Sequence, residues 1–367
     1  MKLTHVILHR LKMPLVSPFR TSFGVETHRN ALLINVLGPE VDGWGECVAD
    51  EEPLYSSEYS EGAQEMIARF LLPRLNPNHV VASTLHSVFA PIRGNPMAKG
   101  GIEAAVLDAE CRVHNQPLSQ RLGATKTRVP SGVSVGIHDE IPALLDTVGG
   151  YLAQGYLRIK LKIEPGNDVA HVRAVRETFG PDVMLQVDAN QAYTLADAPL
   201  LAKLDPFDLA LIEQPLPEED ISGHARLATL IKTPVCLDES ITSPRSAIEA
   251  IAMGACGIIN IKPGRVGGYL EAMKIHDICL AAGIGAWCGG MLETGIGRAA
   301  NVALAALPGF TLPGDTSASA RYFHQDITDA FVLEDGHLNV PTGPGIGIRP
   351  NPDALRDFTV STQTVKL

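Results

Sequence analysis

LRIKLKIEPG (157–166), MLQVDAN (184–190), LALIEQP (209–215), PVCLDES (234–240) and GIINIKPG (257–264) are five short apolar runs, each carrying a charged residue at or near its C-terminal end. Lys162, Asp188, Glu213, Asp238 and Lys262 follow one another at 26, 25, 25 and 24 residues. A period near 25 is too long for a hairpin and right for one strand plus one helix. Three further runs extend the series: GVSVGI (132–137) before it, GAWCGG (285–290) and FTLPGD (310–315) after it. Helical patterns such as DVAHVRAVRETFG and GYLEAMKIHDICLAAG lie between the runs. Apolar strands alternating with helices predict a parallel sheet covered on its faces. Eight units in this length predict a closed (β/α)8 barrel over residues 126–339.

The N-terminal part has a different pattern. Residues 2–13, ALLINVLG (31–38) and GWGECV (43–48) read as a strand meander. SPFRTSFGVETH (17–28) and DEEPLYSSE (50–58) read as loops, the second with Leu54 and Tyr55 exposed. EGAQEMIARFLL, residues 83–90 and residues 97–114 read as helices, the first stopped by Pro73. Residues 1–125 are therefore expected to form an α+β capping domain, to which the Gly- and Pro-rich tail, residues 340–367, returns.

The 367 residues carry a formal charge of −11, which disfavours nucleic acid and anionic membranes as partners. No apolar run approaches the ~20 residues of a membrane span. His5, His9, Arg10 and Lys12 interrupt any leader-like apolar run, so a cytoplasmic protein is expected. The six cysteines form no C-x-x-C pair and read as reduced thiols.

The C-terminal strand ends of a barrel converge on one mouth. A single carboxylate there could be a helix cap. Three in register, Asp188, Glu213 and Asp238, would repel one another unless a cation lay between them. An all-oxygen set points to Mg²⁺ first and Mn²⁺ second. Lys160 and Lys162 share one strand face, and Lys262 lies four strands away, hence opposite. Two adjacent ammonium groups are expected to depress each other's pKa and so favour a neutral base. Lysines on both faces of a bound small-molecule carboxylate suit removal of its α-proton and stabilisation of an enediolate.

At this point the motifs become recognisable. K-L-K at 160–162, V-D-A-N at 187–190, I-E-Q-P at 212–215, L-D-E-S at 237–240 and N-I-K-P-G at 260–264 resemble the enolase superfamily, and within it the muconate-lactonizing group. GRVGGYLEA, WCGGMLETGIGRAANVALA and LPGDTSAS are similar to the o-succinylbenzoate synthase / N-acylamino acid racemase family. The resemblance implies Asp188, Glu213 and Asp238 as metal ligands and Lys162 and Lys262 as the acid/base pair. Lys160 would support the enolate carboxylate. Asn190 and Glu239 would neighbour the metal site, and Ser134, Gly290, Met291 and Leu292 would contact substrate. The two N-terminal loops, with Phe19, Phe23 and Tyr55, would close over the mouth. Homo-oligomers, often octamers, are implied as well. Arg265, three residues after Lys262, is expected to tune or orient that lysine.

The constellation serves racemisation and dehydration alike, so both stay open. A muconate-type cycloisomerase or a dipeptide epimerase is the near alternative. The eighth run has Asp315 alone where an epimerase is expected to carry Asp-x-Asp. A Schiff-base aldolase would leave the three carboxylates without a task. G-x-G-x-x-A at 295–300 matches a dinucleotide fingerprint, but it does not directly follow a strand. A helix N-terminus receiving an anionic substrate arm is the reading preferred there.

Overall fold

The computed structural model describes all of residues 1–367. The N-terminal sheet is antiparallel. Its strands β1 (His5–Thr21), β2 (Gly24–Gly38) and β3 (Val41–Cys47) lie side by side. The helix Pro96–Val113 packs along β3, and its approach is set by glycines. A Cβ on Gly43 would lie 2.3 Å from the Ala105 carbonyl oxygen, and one on Gly45 would lie 2.4 Å from that of Gly101. Asp108 of this helix is fully buried and accepts from the Trp44 amide at 2.9 Å and the Ile346 amide at 2.7 Å, tying the sheet to the tail.

SPFRTSFGVETH is not a loop. β1 runs through to Thr21 and turns at Ser22–Phe23, with Phe19 opposite Glu26 and Thr21 opposite Gly24. The ladder lapses between Pro14 and Phe19, where Pro14 and Pro18 cannot donate. There Val16 N–H bonds instead to the Tyr322 carbonyl, at 2.9 Å.

After β4 (Arg128–Pro130) comes the parallel sheet: β5 (Gly132–Val135), β6 (Arg158–Lys162), β7 (Met184–Asp188), β8 (Ile212–Glu213), β9 (Val235–Leu237), β10 (Ile258–Ile261) and β11 (Gly285–Cys288). They are hydrogen-bonded in sequence order, and helices connect them. The eighth expected strand, FTLPGD, does not form a ladder. Thr311 and Asp315 donate to Ala286 and Cys288 of β11, and Gly132 of β5 donates to Gly314. The segment therefore spans the gap between the two sheet edges by single bonds, with Pro313 lacking a donor in the middle. β12 (His337–Asn339) pairs with β4, and β13 (Thr359–Lys366) runs antiparallel along the outer edge of β1. All six cysteines are buried and unpaired, and no helix is long and apolar enough to cross a membrane.

Candidate active site

Parallel register carries each charged side chain to the same end of the sheet. Lys162 pairs with Asp188, and Asp188 with Glu213. One cavity at that end is lined by Lys160, Lys162, Asn190, Lys262, Ser134 and the β11 loop Gly290–Leu292. From the N-terminal domain, Phe19, Phe23, Glu26, Asp50 and Tyr55 close it. The hairpin tip is docked onto the barrel. Ser22 Oγ lies 3.2 Å from the Ala189 carbonyl and 3.1 Å from that of Asn190. Arg20 pairs with Asp139 at 2.7 Å and Glu164 at 2.8 Å.

Asp188, Glu213 and Asp238 lie beneath the cavity, at 1%, 0% and 0% exposure. As they stand, no three acidic, His or Cys groups converge at ligand spacing. Each carboxylate is drawn to cations or donors instead. Asp188 Oδ2 lies 2.7 Å from Lys162 Nζ and 3.3 Å from Lys160 Nζ. Glu213 accepts from Lys160 at 3.2 Å and from Asn260 Nδ2 at 2.6 Å. Asp238 faces Lys262 at 2.8 Å, and Arg265 pairs with its other oxygen. Burial opposes ionisation of Asp188, but Lys162 and Lys160 outweigh it and hold the carboxyl at about 2. Glu213 is pushed up, by burial first and then by Asp188. Three dry carboxylates on neighbouring strands, one of them raised by its neighbour, are a donor set that suits a hard divalent cation.

The lowering expected at Lys160 is reversed, and Lys262, opposite it, moves the same way. Burial would lower each ammonium, yet both are raised above the ordinary lysine value. Asp315, Glu213 and Asp188 outweigh burial at Lys160. At Lys262 the opposing groups are Tyr55, Glu239, Glu213 and Asp188. At Lys160 the lowering expected from its neighbour is outweighed by three carboxylates, Asp315 at 2.6 Å, Glu213 at 3.2 Å and Asp188 at 3.3 Å. Lys160 is held at 2.6 Å from Asp315 Oδ2 and lies 4.8 Å above the Trp287 ring. Arg158 pairs with the other Asp315 oxygen at 2.8 Å and shares the same ring.

Backbone geometry sets the next layer. Asn190 has φ of +41° and bridges two strands, accepting from Lys162 and donating to Glu239 Oε1 at 2.9 Å. Glu239 is raised to about 7, by burial first and then by Asp188. Gln214, at φ +37°, accepts from the Asp238 and Ser240 amides and so fixes the end of β9. Leu292 is also left-handed, at φ +54°. Gly290 has no room for a side chain, since a Cβ would lie 2.8 Å from the Asp315 carbonyl oxygen.

Glu239 and Arg265 do not line this cavity. Arg265 does not touch Lys262. It pairs with Asp238, donates to the Tyr55 hydroxyl at 3.3 Å, and reaches the Ile241 and Asn260 carbonyls. Tyr55, expected to be exposed beside Leu54, is 7% exposed while Leu54 is 55%. Polar neighbours in DEEPLYSSE suggested solvent, but the phenol finds Lys262, Arg265 and Asp238 inside. The helix Gly295–Ala305 does not offer its N-terminus to a substrate arm. Glu46 of β3 already accepts from the Thr294 and Gly297 amides, and Asp326 from that of Gly295.

Several partners carried no sequence signal of their own. Asn260 was visible only as part of N-I-K-P-G, and Asp315 only as a lone acid on the eighth run. Arg158, Trp287, Glu26, Asp50 and Tyr322 are brought to the site by the fold.

Residues 143–354 match the family model described as enolase C-terminal domain-like, and residues 3–123 match that of the mandelate racemase / muconate lactonizing enzyme N-terminal domain. The chain belongs to the enolase superfamily. An N-succinylamino acid racemase from Amycolatopsis sp is 60% identical over 98% of this chain and 98% of its own. An o-succinylbenzoate synthase from Geobacillus kaustophilus is 49% identical over 94% of this chain and 92% of its own. A solved enolase-superfamily structure from Listeria innocua superposes with a TM-score of 0.95 at 41% identity, covering 100% of this chain and 99% of that one. Membership of the enolase superfamily makes this protein an enzyme of metal-dependent proton abstraction. Its metal is a divalent ion.

Proposed function

We propose that this enzyme racemises N-succinyl or other N-acylamino acids, dehydrates a cyclohexadiene acid to o-succinylbenzoate, or does both, with Mg²⁺ as its ion. The observation that carries this reading is the pair Lys162 and Lys262. They stand on β6 and just after β10, four places apart in the sheet, and line one cavity above three buried carboxylates. A proton removed by one lysine and returned by the other inverts the α-carbon. In dehydration Lys162 would take the α-proton and return it to the departing hydroxyl, releasing water, while the Lys262 ammonium stabilises the enediolate. Lys160, held charged by Asp315, would face the substrate carboxylate rather than move a proton. Asp188, Glu213 and Asp238 would hold Mg²⁺, which when bound supplies charge stabilisation for the enediolate. Asn190, Glu239 and Arg265 would orient these groups.

Ser134, Phe19, Phe23 and the Gly290–Leu292 turn would form the substrate wall. Dehydration would place the enzyme in menaquinone synthesis in the cytoplasm. We further propose a capping domain over 1–125 completed by 340–367, a catalytic barrel over 126–339, and a homo-oligomer.

Wild-type enzyme with Mg²⁺ in D₂O is expected to exchange the α-proton of N-succinyl-phenylalanine. It is also tested with the cyclohexadiene precursor of o-succinylbenzoate. No turnover of either substrate would refute the reading. The ion has a separate readout. After EDTA treatment, adding Mg²⁺ should raise the thermal midpoint in a concentration-dependent way, the stabilisation reaching about 2.7 kcal/mol at a hundred times Kd. Asp188→Asn should lose that shift, and a midpoint indifferent to Mg²⁺ in the wild type would exclude the proposed ligand set.

A further inference from the structure

The two opposed lysines are not held alike. Lys162 has Asp188 and Asn190 as its hydrogen-bond partners, both from the barrel. Lys262 is held by the barrel and by the N-terminal domain. Its ammonium lies 2.8 Å from Asp238, 3.1 Å from the Tyr55 hydroxyl and 4.6 Å from the Tyr55 ring centroid. The same hydroxyl accepts from Arg265 at 3.3 Å and donates to Asp238 Oδ2 at 3.3 Å. It is one atom shared by three groups of the β9–β10 side.

Tyr55 is delivered by a segment with no helix or strand of its own, anchored at both ends. Asp50 pairs there with the fully buried Arg29. Glu58 accepts from the Met97 amide at 2.7 Å and the Ala98 amide at 3.0 Å, capping the helix Pro96–Val113. Between these anchors the ring has cavities on two sides. One is the catalytic cavity; the other, about 550 Å³, is bounded by Glu239, Arg265 and Glu58. The ring is buried against Phe23, at 6.0 Å between centroids, and its hydroxyl is directed by the polar contacts.

We propose that, of the two opposed lysines, Tyr55 positions Lys262 and not Lys162: the N-terminal domain sets proton transfer on one face of the substrate and leaves the other face to the barrel. This rests on reading Lys162 and Lys262 as the two-face pair. Its consequence is that a reaction needing both lysines depends on how this segment sits, while a step carried by Lys162 depends on it much less.

Net racemisation cannot test this, because an equilibrium constant of one forces kcat/KM to fall equally in both directions. Loss of the α-proton to D₂O, measured from each enantiomer of N-succinyl-phenylalanine separately, can. The enantiomer that still exchanges in Lys262→Ala is the one facing Lys162. In Tyr55→Phe, which keeps the ring, exchange of the other enantiomer should fall by about tenfold or more relative to it, as expected for a misplaced reacting group. Tyr55→Leu, which also removes the ring from beneath the ammonium, should shift the ratio further. Circular dichroism checks that both variants are folded. An unchanged ratio, with both rates down or KM raised for both, would overturn the proposal and leave Tyr55 a substrate contact or part of the wall. Wild-type exchange of neither enantiomer would overturn the functional reading and this proposal together, whereas wild-type exchange with an unchanged variant ratio overturns only this one.

Discussion

Lys162→Ala and Lys262→Ala are each expected to lower net racemisation of N-succinyl-phenylalanine by about 10²- to 10⁴-fold, the usual contribution of a positioned acid/base group. Inversion needs a donor on one face and an acceptor on the other, so either loss stops it. Exchange behaves differently. Each variant keeps one lysine, so each should still exchange the α-proton of one enantiomer with D₂O, and the two variants should retain opposite enantiomers. Lysines that only pair with Asp188 and Asp238 for stability would not split the enantiomers in this way. Polarimetry for inversion and proton NMR in D₂O for exchange give the two readouts on the same samples. Exchange of both enantiomers at the wild-type rate in both variants would remove the lysines from the chemistry. Dehydration should be lost in Lys162→Ala, because the same nitrogen is asked to take the proton and return it to the leaving hydroxyl.

The second large effect concerns folding. Asp315→Asn should destabilise the protein by about 3–5 kcal/mol, the usual result of removing one partner from a buried ion cluster. Asp315 is buried and serves two cations, Lys160 at 2.6 Å and Arg158 at 2.8 Å, both themselves buried over Trp287. Without it both cations face each other with less than compensating charge, Lys160 keeping only Glu213 and Asp188. Lys160→Met alone should also destabilise. The double variant should cost less than the sum of the two, with a coupling of about 0.5–3 kcal/mol. Urea denaturation at a fixed Mg²⁺ concentration measures this, since ion binding would otherwise shift the midpoint. Additive effects would show that Lys160 and Asp315 do not act as a pair.

How far the sequence could be read differs from one element to the next. The parallel sheet was legible because Ile159, Leu185, Ile212, Leu237 and Ile259 are core residues of short apolar strands, and the charged residues mark where those strands end. The hairpin at 17–28 was not. Pro14 and Pro18 interrupt its ladder, and it is held by a backbone bond from Val16 to Tyr322 and by Ser22 on the Ala189 and Asn190 carbonyls, all more than a hundred residues away. FTLPGD was over-read as a strand, since apolar character hid the missing donor at Pro313. The acidic trio and the lysines were visible in spacing alone. The state of Lys160 and Lys262 was not, because it depends on which acidic groups lie nearest, and Asp315 at Lys160 and the Tyr55 phenol at Lys262 come from distant segments. Arg265 was expected to tune or orient Lys262, and the partners the two share, Asp238 and Tyr55, could not be seen in the spacing.

The pairing of β13 with β1 also bears on how the molecule is made. His5 lies opposite Lys366, so the outer neighbour of the first strand is translated only after the whole barrel. Until then β1 presents an unpaired edge beside an apolar face that includes Val6, Leu8 and Leu11. Synthesis at about 5–20 residues per second leaves that edge open for tens of seconds while the whole barrel is translated. A nascent chain in this condition is a target for chaperones and for strand exchange with a neighbouring copy. The strand Thr359–Lys366 thus acts as a seal added only after the barrel has been made.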